Sequence, residues 1–204
     1  MLTLYYGPGA CSMAAHIVLE ESGEKYQPQR VDLGGGEQRG EAYRKINPHA
    51  RVPALRLDDG DVVTENAAIL PYLGKRFKMW PGNAQAEARA MSLIGYFSST
   101  VHPAHAHVGR PERYSDDKAA YPSIKEKGLK SFHEYLQEID GMLAGKEWLG
   151  DGFSVLDPYG FVFYTWGVRR ELPMGALKNY TAFKDRMTAR PAVQRVLEDE
   201  KVKV

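Results

Sequence analysis

The chain has 204 residues, is 43% hydrophobic and 26% charged, and carries a net charge of +1 with no Lys/Arg run. These are ordinary globular values that give polyanion binding no support, so no nucleic-acid partner is expected. A single cysteine excludes an intramolecular disulfide, no basic leader precedes a long apolar core, and the longest largely apolar stretch, Tyr159 to Val168, is too short to cross a bilayer; a soluble cytoplasmic protein without a membrane partner is expected.

Leu2 to Tyr6 alternates as a strand, Gly7-Pro8-Gly9 breaks it, and Ala14, Ala15, Val18 and Leu19 mark an amphipathic helix just beyond Cys11. At an open helix N-terminus, unpaired N–H groups and the positive end of the dipole favour a thiolate. The other reading of Cys11 is a small buried hydrophobe. The convergence of strand, breaker and helix start favours the chemical one.

Tyr26 to Val31 reads as an edge strand that tolerates Pro28, Gly34-Gly35-Gly36 as a break, and Glu41 to Lys45 as a short helix ending at Ile46-Asn47-Pro48. Two strands, Val52 to Leu57 and Val62 to Thr64, flank the turn Asp58-Asp59-Gly60-Asp61. A helix carrying Ile69, Leu70, Tyr72 and Leu73 follows, with Asn66 as its predicted N-cap. This order, βαβ then ββα, is thioredoxin-like. Trp80-Pro81-Gly82-Asn83 marks a linker, and everything beyond it reads as helix. Leu129, Phe132, Leu136, Ile139 and Leu143 form one apolar stripe; Ser154 and Asp157 have the spacing of a capping box; two last helices cover Leu177 to Ala189 and Ala192 to Glu200. The fold class is therefore α/β, a thioredoxin-like N-terminal domain over 1–78, a linker over 79–85 and an all-α C-terminal domain over 86–204.

Four features in fixed order, Cys11 at the strand–helix junction, Asn47-Pro48 before Val52-Pro53, the run Thr64-Glu65-Asn66-Ala67-Ala68-Ile69, and a helical second half with Ser154 and Asp157, resemble the cytosolic glutathione transferases. The opening Tyr5-Tyr6-Gly7-Pro8-Gly9-Ala10-Cys11-Ser12 resembles their bacterial beta class. The resemblance implies conjugation of glutathione, as co-substrate, to small hydrophobic electrophiles, a detoxifying role and a homodimer.

In that reading Val52 and Pro53, with a cis bond, pair with the cysteinyl residue. Glu65 accepts from the ammonium, and Asn66 caps a helix whose N–H groups hold the γ-glutamyl carboxylate. By themselves Glu65-Asn66 are equally a good helix start. Arg39 and Arg51 are candidates for the glycyl carboxylate where the family usually has a lysine; both are otherwise solvated surface charges. Cys11, His102, Tyr6 and Ser12 are the expected catalytic set, with Gly9, Ala10, His105 and Trp166 lining the co-substrate pocket. Trp166 at helical spacing with Tyr159, Val162 and Phe163 is also readable as core. Pro103, where the beta class often has lysine, should kink or end its helix. Three histidines, His102, His105 and His107, lack a completing carboxylate or second cysteine, so no metal is expected. Two rivals stand beside conjugation: glutathione-dependent thiol–disulfide exchange through Cys11, and a non-catalytic ligand-binding protein of the same fold.

Overall fold

A computed structural model describes residues 1–204. Four strands, β1 (Thr3–Tyr6), β2 (Gln27–Arg30), β3 (Ala54–Arg56) and β4 (Val62–Thr64), form one sheet in the order β2-β1-β3-β4. β2 is parallel to β1; β3 runs antiparallel to both β1 and β4. Pro28 is tolerated because β2 is an edge strand, where its missing N–H can face away from β1.

Helix α1 (Met13–Ser22) is buried along its length from Met13 to Leu19, which a surface helix would not be. It packs against β1 and α3 (Asn66–Arg76) of its own half and against α7 (Leu156–Arg169) and α9 (Pro191–Asp199) of the other. One continuous apolar core therefore runs from Leu4 and Ile17 to Phe132, Phe163 and Tyr180. A small second cluster, Tyr5, Val31, Tyr43, Val52 and Ala54, lies on the opposite face of the sheet beside the short helix α2 (Glu41–Arg44).

The remaining helices are α4 (Ala84–Tyr96), α5 (His102–Gly109), α6 (Tyr121–Met142) and α8 (Lys178–Thr188). The stripe from Leu129 falls on α6, with Phe132, Leu136 and Ile139 buried. Asp157 accepts from the Ser154 N–H at 2.7 Å, and the Ser154 hydroxyl accepts from the Leu156 N–H, so the predicted cap is made although the regular helix begins two residues later.

Two expectations need correction. Pro103 does not end the helical path: the chain widens into a π-helical turn over Phe97–Val101 and continues as α5 with Pro103 in its first turn. Beside that turn the Ser98 and Ser99 hydroxyls donate to the Ile94 and Gly95 carbonyls. Asn66 is not the cap of α3. It is the first helical residue, and Glu65, at φ +68°, is the residue before it. The Asn66 side chain turns inward instead and donates to the Cys11 carbonyl at 2.9 Å.

Candidate active site

The β1–α1 junction, the turn before β3, the start of α3, and the facing ends of α5 and α7 enclose a cleft of about 550 Å³. Cys11, Val52, Pro53, Glu65 and Asn66 line its first wall, and His102, His105 and Trp166 line the other. The sequence therefore picked residues from both sides of one cavity.

The first wall is tightly fixed. The Val52-Pro53 peptide is cis, as expected. The Arg51 carbonyl just before it accepts from the Tyr43 hydroxyl and the Asn47 side-chain amide, each at 2.7 Å, which anchors the turn to α2 and the residues after it. The Val52 carbonyl accepts the Cys11 S–H at 3.3 Å. Gly9, at φ +63°, is gripped at both ends of its peptide: its N–H donates to Glu200 Oε2 at 2.7 Å, and its carbonyl accepts from Trp166 Nε1 at 3.0 Å and from Arg169 Nη2 at 2.7 Å. Positive φ is cheap for glycine, and a Cβ there would lie 2.8 Å from the Arg169 guanidinium. Ala10 follows in the cleft wall.

The second wall is a stack of rings. His105 lies flat on Trp166 with centroids 4.1 Å apart, and His102 meets the same indole edge to face at 5.0 Å. Arg170 Nε donates to His105 Nε2 at 3.2 Å. Trp166 is itself 3% exposed, so the core and pocket readings are both partly right: its indole backs the histidines and holds Gly9.

Burial sets the protonation states. Cys11 is pushed up to about 12, first by loss of water and then by the Glu65 carboxylate, against a smaller opposing effect of Arg110. This direction is opposite to that of the expected dipole-stabilised thiolate. Partial charges at a helix end contribute less than the desolvation of a buried sulfur whose S–H already has an acceptor. Burial also holds His102 down to about 4, with Arg110 adding to it, and His105 down to about 2, with Arg170 adding. Both rings are neutral at pH 7.

Three predicted residues are elsewhere. The Tyr6 hydroxyl donates to Asp199 at 2.8 Å and its ring packs on His16, so it faces α1 and the end of α9 rather than the sulfur. The Ser12 hydroxyl donates to the Gly7 carbonyl and accepts from the Gly7 N–H, closing the turn before α1 away from the cleft. Strand alternation turns successive side chains to opposite faces, and the tight turn faces Ser12 inward. Arg39 is exposed and outside the cleft; Gln38, its neighbour, lines it instead, while Arg51 is in place.

Sequence reading missed Gln38, Tyr159 and the arginines Arg110, Arg113, Arg169 and Arg170, all of which line the cleft. The signal available was slight: Arg169 and Arg170 lie within one helical turn of Trp166, on a helix already expected at the pocket. Two acceptors, Gln38 Oε1 and Asn66 Oδ1, are buried without a hydrogen-bond partner in the chain, and both residues line the cleft.

A family model described as the glutathione S-transferase N-terminal domain matches residues 9–76. The chain is 33% identical over 208 residues to glutathione S-transferase GstA of Escherichia coli O157:H7, covering 99% of this chain and 100% of that one. A glutathione transferase homologue from Sulfitobacter, solved with bound glutathione, superimposes with a TM-score of 0.93 at 34% identity, covering 100% and 99% of the two chains. A beta-class glutathione S-transferase of Sphingomonas chungbukensis superimposes with a TM-score of 0.86 at 31% identity over 97% and 98%.

Proposed function

The chain belongs to the glutathione S-transferases, and we propose that it joins the thiol of glutathione to a small apolar electrophile in the cleft beside Cys11. The observation that carries this reading is the meeting, in one cavity, of an exposed carboxylate, the start of a helix, an anchored backbone turn and buried acceptors without donors. Glutathione has one ammonium, two carboxylates, two peptide N–H groups and a thiol, and its charged groups and cysteinyl backbone find complements here. Glu65 takes the ammonium, the first N–H groups of α3 the γ-glutamyl carboxylate, the Val52 backbone the cysteinyl residue, and Arg51 the glycyl carboxylate.

The nucleophile is the glutathione sulfur. Cys11 is held protonated by burial and its S–H is engaged by the Val52 carbonyl, so it is a poor attacking thiolate at neutral pH. The same fact weighs against disulfide exchange through Cys11. Neutral His102 can donate a ring N–H to a sulfur anion lodged between the two walls.

The division into 1–78, 79–85 and 86–204, a homodimer, a cytoplasmic location and a detoxifying role belong to this same reading, inferred from family membership. The test is glutathione titration by calorimetry together with conjugation of 1-chloro-2,4-dinitrobenzene by the wild type and Cys11→Ala. Saturable binding and conjugation that survives in Cys11→Ala are expected. Conjugation abolished in a folded Cys11→Ala that still binds glutathione would return the chemistry to Cys11.

A further inference from the structure

The cleft holds more positive charge than glutathione engages. Five arginines line it, Arg51, Arg110, Arg113, Arg169 and Arg170, against the single carboxylate of Glu65. None of the five is ion-paired; the chain's salt bridges use other cations. The two lining histidines bearing on this account, His102 and His105, are neutral at pH 7 and neither add to the charge nor relieve it.

Two of the arginines have structural work. Arg169 donates to the Gly9 carbonyl at 2.7 Å, and Arg170 donates to His105 at 3.2 Å. A third, Arg51, meets the glycyl carboxylate in the reading above. Arg110 and Arg113 remain. Arg110 follows the last turn of α5, and Arg113 closes the short helical turn Pro111–Arg113 that leads away from it. Neither guanidinium donates a hydrogen bond within the chain, unlike those of Arg169 and Arg170 in the same cleft. They also crowd one another: Arg113 is held below the ordinary arginine range by burial first, then by the nearby charges of Arg110 and Arg51. Like charges gathered in a partly desolvated cleft are unfavourable unless an anion joins them.

Beside this pair the rings of His102 and His105, backed by the buried Trp166 indole, line the cleft as an aromatic wall that an aromatic body can pack against. The glutathione sulfur, next to Cys11, faces that wall in the proposed reading.

We propose that Arg110 and Arg113 bind an anionic group on the second substrate, so that the preferred electrophile is an apolar, ring-bearing molecule carrying a carboxylate. The inference rests on the transferase reading. In the substitution it implies, the glutathione sulfur supplies both electrons of the new carbon–sulfur bond, the leaving group departs with the pair of the bond it breaks, and the thiol proton passes to water. The carboxylate takes no part in the bond changes; it aligns the ring, and Arg110 and Arg113 are substrate-binding residues.

The test compares 4-chloro-3,5-dinitrobenzoate with neutral 1-chloro-2,4-dinitrobenzene, each kcat/KM divided by the uncatalysed rate with glutathione. The wild type should favour the benzoate about tenfold or more, the size expected of a charge-assisted contact. In Arg110→Gln/Arg113→Gln that ratio should collapse towards one, mainly through the benzoate's KM, and Arg113→Lys should retain part of it. Glutathione affinity is measured by calorimetry on every variant, which separates loss of the fold from loss of the anion site. A wild type that turns over the neutral compound but shows no preference for the benzoate overturns this proposal and leaves the transferase reading standing. So does a double variant that loses both electrophiles equally while glutathione binding weakens, since the arginines would then serve glutathione. A wild type that neither binds glutathione nor turns over either compound overturns the transferase reading and this inference with it.

Discussion

The Gly9 N–H donates to Glu200 Oε2 at 2.7 Å, across 191 positions of sequence, and so ties the loop that carries Cys11 to the residue that follows α9. Glu200 is 3% exposed, and its other oxygen meets His16 Nδ1 on α1 at 2.8 Å. Burial raises its pKa above the usual glutamate range, against the lowering effect of His16. Glu200→Ala leaves two buried donors without an acceptor and should cost about 2–3 kcal/mol in urea unfolding. Glu200→Gln can give its oxygen to Gly9 and its amide to the His16 ring nitrogen, so it should lose less than half as much. An equally large loss in both variants would mean that the charge, rather than the hydrogen-bond geometry, holds the loop.

Cys11 offers a direct check on burial. Lying at about 12 instead of the ordinary 9.0, it should present about a thousandfold less thiolate at pH 8 than a free cysteine. Alkylation by iodoacetamide, followed by intact mass, should be slower than in the urea-unfolded chain by two to three orders of magnitude. Its rate should climb with pH through pH 10 without a plateau. A plateau below pH 9 would show that the helix dipole prevails over desolvation after all.

Glu65 is a non-glycine residue at φ +68° and ψ 131°, in a sparsely populated backbone region, with its side chain exposed in the cleft. Strain of this kind clusters at ligand clamps and active sites. Glu65→Gly should therefore relieve about 1 kcal/mol of backbone strain and hold or raise the melting temperature. It should also weaken glutathione binding by about 2–3 kcal/mol through loss of the charged contact. Calorimetry and thermal unfolding on the same sample separate the two effects, and unchanged affinity would remove Glu65 from the site.

Asp157 should leave its mark on stability against pH. It is fully buried, accepting from the Leu149 and Ser154 N–H groups, yet burial dominates those bonds and pushes it up to about 7. Between pH 4 and 7 the folded chain then holds a proton that the unfolded chain has released. The contribution is fully present below the unfolded value near 3.8 and is lost as pH rises through about 7. Glu200, also raised, acts in the same direction from above 4.5. Urea midpoints should fall from pH 5 to pH 7, and Asp157→Asn should flatten part of that slope while lowering stability throughout.

Much of the fold was legible because it is written in local patterns. Alternation over Leu2–Tyr6, the turn at Asp58–Asp61, the stripe on α6 and the Ser154–Asp157 cap each involve residues a few positions apart, and the structure returns each within one to three residues, while α6 itself begins at Tyr121, eight residues before the stripe. The cleft was half legible for a related reason. Cys11, Val52, Glu65 and His102 belong to short ordered motifs, and a resemblance could carry them together.

What the sequence alone determined was the order of elements, the family they belong to and the residues that mark one cavity. Tertiary structure alone decided which way each side chain in it acts. Tyr6 and Ser12 sit in the same motif as Cys11 but turn to Asp199 and Gly7. Asn66 gave up its cap to hold the Cys11 carbonyl. Arg110 and Arg113, from the segment after α5, and Arg169 and Arg170, from the end of α7, converge on His102 and His105. Protonation state depends on lost water and on charges brought near by distant segments, and a one-dimensional pattern carries neither.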